Sequence, residues 1–135
     1  LIFYLVDMFA KFPKDTADIN WTSHVKRKMA FYGLSEQRVR SVMRNPKRHE
    51  DGIAPETVAV MQRNDKPKKN EEIWVMYAES RKHENTKAQK QENQKTRKQT
   101  VVISAWRYPG ISKKRDGVPV PDDVLRELDK FLANQ

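Results

Sequence analysis

NWTSHVKRKMAFYGLSEQRVRSVMRNP, residues 20–46, is the stretch whose punctuation decides the fold. Thr22 or Ser23 can cap a helix that turns Val25, Met29 and Ala30 inward and stops at Gly33. A hydroxyl satisfies the free amides of a first helical turn, and glycine adopts the left-handed backbone that ends a last one. Ser35 caps a second helix, with Val39, Val42 and Met43 on one face and Arg38, Arg40 and Arg44 on the other, until Asn45-Pro46 stops it. Two short helices joined by a tight glycine turn are predicted.

Towards the C-terminus the hydrophobic period shortens from helical to alternating. Residues 57–61, 72–77 and 100–108 read as strands, the first two divided by a polar loop over 64–70 and the third ended by Pro109-Gly110. Helices followed by a strand meander predict an α+β domain with a small antiparallel sheet of three to four strands. Outside this core of residues 20–108, two amphipathic helices are expected. One covers residues 1–12, with Leu1, Leu5, Met8, Phe9 and Phe12 as its apolar stripe; the other covers 121–133, with Val124, Leu125, Leu128, Phe131 and Leu132. The 135 residues fit a single domain.

Residues 80–99, SRKHENTKAQKQENQKTRKQ, carry seven basic and two acidic side chains and no large apolar one, so they cannot feed a core. They read as a flexible basic insertion at a hairpin tip. Over the whole chain 27 Lys and Arg oppose 18 Asp and Glu, a net charge of +9, which favours polyanionic partners, RNA first among them. Arg81, Lys82, Lys87, Lys90, Lys95, Arg97 and Lys98 of the insertion, with Lys26 and Arg27 of the first helix, are the nucleic-acid-binding candidates. The insertion either holds RNA by counterion release or keeps the chain solvated.

Several chemistries are excluded or disfavoured. With no cysteine there is no disulfide, no thiolate nucleophile and no cysteine-based zinc site, and the three histidines lack a metal-ligand spacing, so neither a metal nor a cofactor is expected. Four glycines, at 33, 52, 110 and 117, form neither a phosphate loop nor a serine nucleophile elbow. The apolar start is interrupted by Asp7 and Lys11 and is shorter than the ~20 residues of a membrane-spanning helix, with no basic leader, so no membrane partner and a cytoplasmic location are expected.

Residues 20–46, followed by VVISAWRYPG, resemble a domain-of-unknown-function family related to the BrnT and RelE-type toxins. Thr22, His24, Met29, Gly33, Ser35, Val39, Asn45 and Pro46 match the family's pattern; Lys28 and Tyr32 stand where it has arginine, and Val25 where it has alanine. The resemblance implies the fold shared by barnase, EndoU, colicin nucleases and RelE, a metal-independent endoribonuclease activity and an antitoxin protein as partner.

Metal-free RNA cleavage needs a proton carrier for the 2′-hydroxyl and leaving oxygen and cations for the phosphate. His24 suits the first task; Lys28, four residues on and on the same helical face, suits the second. Strict alternation along the third strand sets Arg107 and Trp106 on opposite faces, which makes Arg107 a candidate phosphate clamp and Trp106 either core or a base-stacking platform. Beside the ribonuclease stand two alternatives: a catalytically inactive nucleic-acid-binding domain of the same fold, and a protein-interaction domain that docks an antitoxin through residues 1–12.

Overall fold

The computed structural model describes residues 12–83 and 96–133. The helix expected over residues 1–12 therefore lies outside the described residues, apart from Phe12. Strand β1 (Ile19–Trp21) leads into helices α1 (Ser23–Tyr32) and α2 (Glu36–Arg44). Four further strands follow, β2 (Arg48–Asp51), β3 (Thr57–Arg63), β4 (Glu71–His83) and β5 (Thr96–Pro109), and then helix α3 (Asp122–Ala133). The class is α+β, as expected. The sheet is larger and of another kind: five strands in the order β1-β5-β4-β3-β2, mixed rather than antiparallel, because β1 runs parallel to β5.

Both unforeseen strands lack a periodic signal. Ile19–Trp21 has three residues, too few to display alternation, and β2 reads Arg-His-Glu-Asp, with no apolar residue at all. Tertiary pairing creates them: Ile19 to Trp21 pair with Thr100 to Val102, and Arg48 to Asp51 with Met61 to Val58.

The helix caps follow the local chemistry. Thr22 Oγ1 accepts from Val25 N at 3.1 Å, and Ser35 Oγ accepts from Arg38 N at 3.1 Å. Gly33 ends α1 at φ 66°, the left-handed region where a side chain would be strained.

The sheet is covered on both faces. Val25, Met29, Leu34, Val39 and Val42 of the α1–α2 hairpin pack on Val60, Ile73, Val75, Val102 and Ala105. On the opposite face Val124 and Leu128 of α3 pack on Met76, Ile103, Trp74 and Trp106. Leu125, expected in that stripe, is exposed. Trp106 is core: fully buried, stacked on Trp74 with centroids 6.4 Å apart, and donating from Nε1 to Pro119 O at 2.8 Å.

One irregularity in β5 shapes the site. Met76 pairs with Ser104 and Tyr77 with Val102, so Ile103 has no opposite number and forms a β-bulge. An extra residue shifts the alternation by one, and Val102 therefore shares a face with Ala105, not with Ser104 and Trp106 as strict alternation requires.

The insertion expected over 80–99 is partly regular structure. Residues 80–83 and 96–99 extend β4 and β5 as an antiparallel ladder in which Ser80 pairs Gln99, Arg81 pairs Lys98, Lys82 pairs Arg97 and His83 pairs Thr96. Backbone hydrogen bonding there overrides a composition that argues for loop. Lys87, Lys90 and Lys95 lie outside the described residues.

Candidate functional site

Strand β1 protects the edge of β5 only as far as Val102, and the start of α1 then takes over. Thr22 N donates to Val102 O at 3.2 Å, and its hydroxyl donates to Ile103 O at 2.9 Å. This anchorage brings the first turn of α1 against the bulge, where His24 Nε2 and Ser104 Oγ lie 2.8 Å apart.

One stripe of α1, His24, Lys28 and Tyr32, faces α3. Lys28 Nζ sits 2.8 Å from both Asp123 Oδ2 and Glu127 Oε1. Tyr32 Oη donates to Asp123 at 2.9 Å. His24 Nδ1 lies 3.3 Å from Glu127 Oε2 without the alignment of a hydrogen bond. Two positions four apart on one helix thus meet two positions four apart on the other, basic side chains against carboxylates.

Each group's protonation follows from these contacts. Burial lowers the His24 pKa below 6.5, although the neighbouring Glu127 carboxylate opposes the shift. Lys28 loses solvation too, but its hydrogen bonds to Asp123 and Glu127 outweigh that loss and raise its pKa. The Lys28 hydrogen bond holds Glu127 below its ordinary range; Asp123 is held low as well, its burial being outweighed by the bonds from Lys28 and Tyr32. Neutral histidine beside a charged Lys28–carboxylate cluster is the resting state at neutral pH.

In outline Ser104, His24 and Glu127 form the chain of hydroxyl, imidazole and carboxylate that hydrolases use. Ser104 and His24 are each 0% exposed, however, so no substrate atom reaches either. Lys28, 4% exposed and held by two carboxylates, offers no free charge to a phosphate.

Arg107 is elsewhere. Its Nε donates to Tyr32 O at 2.6 Å, Nη2 to Gly33 O at 3.1 Å, and Nη1 to Glu71 Oε2 at 2.8 Å. These are carbonyls that the end of α1 leaves without helical partners, so the guanidinium acts as a C-terminal cap. His24 and Tyr32 are eight residues apart on α1, about 12 Å along its axis. The structure joins His24 with Lys28 and leaves Arg107 at the other end of the helix.

Among the remaining candidates, the Lys26 side chain has no partner among the described residues, and Arg27 is well exposed, 3.7 Å from Glu127. Lys98 is exposed and 3.1 Å from Glu79. Arg81, Lys82 and Arg97 hold paired positions in the ladder. Sequence reasoning missed Ser104, Asp123 and Glu127. The i,i+4 spacing of the two carboxylates, matching that of His24 and Lys28, is a signal that could have found them; nothing in the sequence announces the bulge that delivers Ser104.

No family model matches the chain, and no curated protein and no solved structure matches it either. Among the described residues no helix is long and apolar enough to cross a membrane, and no group of His, Cys, Asp and Glu is arranged to hold a metal ion.

The buried imidazole makes stability pH-dependent. Folded His24 binds its proton less readily than the unfolded chain does, so the unfolded state gains protons first as pH falls. Its contribution is complete above pH 6.5 and is lost as pH drops below that value. Urea unfolding should show stability declining from about pH 7 to about pH 5, with a shallower decline in His24→Gln. The carboxylates add their own loss only below their ordinary values of 3.8 and 4.5. An identical slope in wild type and variant over that interval contradicts the assignment.

Proposed function

We propose that this chain is an RNA-binding domain that holds single strands through phosphate contacts along the β4–β5 hairpin and is catalytically silent at His24. The ladder register carries this reading: Arg81 stands opposite Lys98, and Lys82 opposite Arg97. Like charges directly opposed in an antiparallel pair are destabilising, by roughly 0.2–1 kcal/mol each. A phosphate backbone running past both pairs converts that repulsion into attraction and releases counterions as it binds.

Cleavage by His24 is disfavoured by the same accounting of contacts. A general base must reach the proton it removes, and His24 is 0% exposed against Ser104 and α3. A charged clamp must have donors to spare; Lys28 and Arg107 spend theirs on Asp123, Glu127, Glu71 and the end of α1. The departures from the toxin pattern fall on this surface, since Lys28 and Tyr32 are the residues that bind Asp123. An antitoxin-docking role rests on residues 1–12, which apart from Phe12 lie outside the described part of the chain.

The double variant Arg81→Gln/Lys98→Gln separates charge from fold. It should bind a single-stranded RNA several-fold more weakly in fluorescence anisotropy at low salt, while its urea midpoint stays level, because the lost Lys98–Glu79 ion pair is an exposed one and its loss is offset by removal of one like-charged pair. Unchanged affinity in a folded variant removes the hairpin from the binding surface.

A further inference from the structure

At the foot of the same hairpin lies a groove of about 250 Å³ between α2 and the sheet, lined by Ile19, Arg40, Met43, Arg44, Tyr77, Glu79 and Thr100. Its polar atoms differ from those of the α1–α3 ladder, where every cation is paired. Arg44, on the last turn of α2, is exposed and has no hydrogen-bond or ion-pair partner among the described residues. Tyr77 is 8% exposed, and its hydroxyl makes no hydrogen bond to another described residue. Tyr77 Oη is not a buried orphan; it belongs to the groove lining as a hydroxyl that a ligand atom can meet. Arg40, by contrast, is occupied by Glu36 at 2.9 Å and by the Trp21 ring, 5.6 Å from its guanidinium carbon.

The lining divides into three chemistries. Ile19 and Met43 are partly buried apolar side chains packed on the first core and give the groove an apolar side. Arg44 supplies a free guanidinium, a group whose planar donors match phosphate. Tyr77, Thr100 and Glu79 supply a hydroxyl pair and a carboxylate acceptor; Glu79 also meets Lys98 of the hairpin at 3.1 Å, so the groove and the cationic ladder are continuous. An apolar face for a flat ring, a cation for a phosphate and hydrogen-bonding groups for a base edge are the needs of one unstacked nucleotide. The volume is below the ~300 Å³ at which pockets for larger ligands begin, which limits the occupant to one such unit.

We infer that this groove is a nucleotide subsite: a single base of bound RNA lies against Met43 and Ile19 with its edge toward Tyr77 and Glu79, and its phosphate is held by Arg44. The inference rests on the RNA-binding reading and specifies where one nucleotide of the strand is gripped. Burial keeps the Tyr77 phenol above its ordinary pKa of 10.0, with Glu79 adding to the effect, so the hydroxyl remains a donor at neutral pH.

Titration of the full chain with the four ribonucleoside 5′-monophosphates, the matching nucleosides and inorganic phosphate, followed by backbone amide NMR shifts, tests the subsite. At least one nucleotide should bind about tenfold more tightly than its nucleoside and than inorganic phosphate. Arg44→Gln should erase the advantage over the nucleoside, and Tyr77→Phe should weaken the nucleotide and the nucleoside alike, with the shifts of wild type centred on residues 43–44, 77–79 and 100. Equal binding of nucleotide and inorganic phosphate, shifts confined to other residues, or full binding by both variants overturns it. Arg81→Gln/Lys98→Gln distinguishes the two failures: if that variant loses RNA while wild type binds no mononucleotide, the subsite is wrong and the hairpin reading stands. If mononucleotides bind but RNA affinity ignores the hairpin, the reverse holds.

Discussion

Glu72→Ala is expected to lower the unfolding free energy by about 3–5 kcal/mol, the cost of removing one partner from a buried ion network. Glu72 is 1% exposed and accepts from Trp74 Nε1 at 3.0 Å, Ser112 Oγ at 2.6 Å, Ser112 N at 3.0 Å and Arg63 Nη1 at 3.1 Å. Arg48 completes the cluster: its Nη1 is 3.9 Å from Glu72, it lies over the Trp74 ring at 5.0 Å, and it donates to Ser112 Oγ at 2.6 Å. Burial alone would raise the Glu72 pKa; the donors from Ser112 and Trp74 overcome it and hold the carboxylate below its ordinary value.

Truncation leaves the indole N–H and the Ser112 amide without acceptors and Arg48 buried with less counter-charge. Because Ser112 belongs to the segment that links β5 to α3, the loss reaches the packing of α3 as well as the sheet. With domain stabilities of about 5–15 kcal/mol, this single change removes a large share. Urea unfolding measures it directly, and Glu36→Ala is the control: that carboxylate pairs Arg40 on an exposed helix face, where removal should cost only about 0.3–0.5 kcal/mol. Similar losses in the two variants contradict the role given to burial.

How far the sequence could be read depended on whether the signal was local. Thr22, Gly33 and Ser35 announce the α1–α2 hairpin because capping chemistry acts within a turn, and the structure has those residues in those tasks. The three apolar strands were equally visible, each with its side chains set by burial. What eluded sequence reasoning was decided at long range. Arg48 to Asp51 becomes a strand because β3 offers it an edge, and Ile19–Trp21 becomes one because β5 does. The bulge at Ile103 breaks alternation across that residue, so Val102 and Trp106 fall on opposite faces, whereas Arg107 and Trp106, both beyond it, face opposite sides as expected.

The candidate site shows the same limit. His24 and Lys28 share a face, as their spacing requires, and that face meets Asp123 and Glu127 some hundred positions later in the chain. Pattern reading identifies groups able to do chemistry; whether another element has already neutralised them is a tertiary fact. Arg107 had the right charge and strand, and the end of α1 claimed its donors.

Binding of single-stranded RNA across a salt series, with the RNA checked for cleavage, separates phosphate contact at the hairpin from chemistry at His24. Four hairpin cations, Arg81, Lys82, Arg97 and Lys98, stand in two opposed pairs, and each phosphate neutralised on a single strand contributes a slope of about −0.7 in log K against log salt. Four such contacts give a slope near −2.8, or roughly a fifty-fold loss of affinity between about 50 mM and about 200 mM salt, and a fifth phosphate at Arg44 brings the slope to about −3.5. On the RNA-binding reading a slope between about −2.8 and about −3.5 is expected, with a reduction of about 1.4 in Arg81→Gln/Lys98→Gln and RNA recovered intact in the presence of chelator from both wild type and His24→Ala. RNA cut by wild type but spared by His24→Ala, or affinity indifferent to salt, would contradict it.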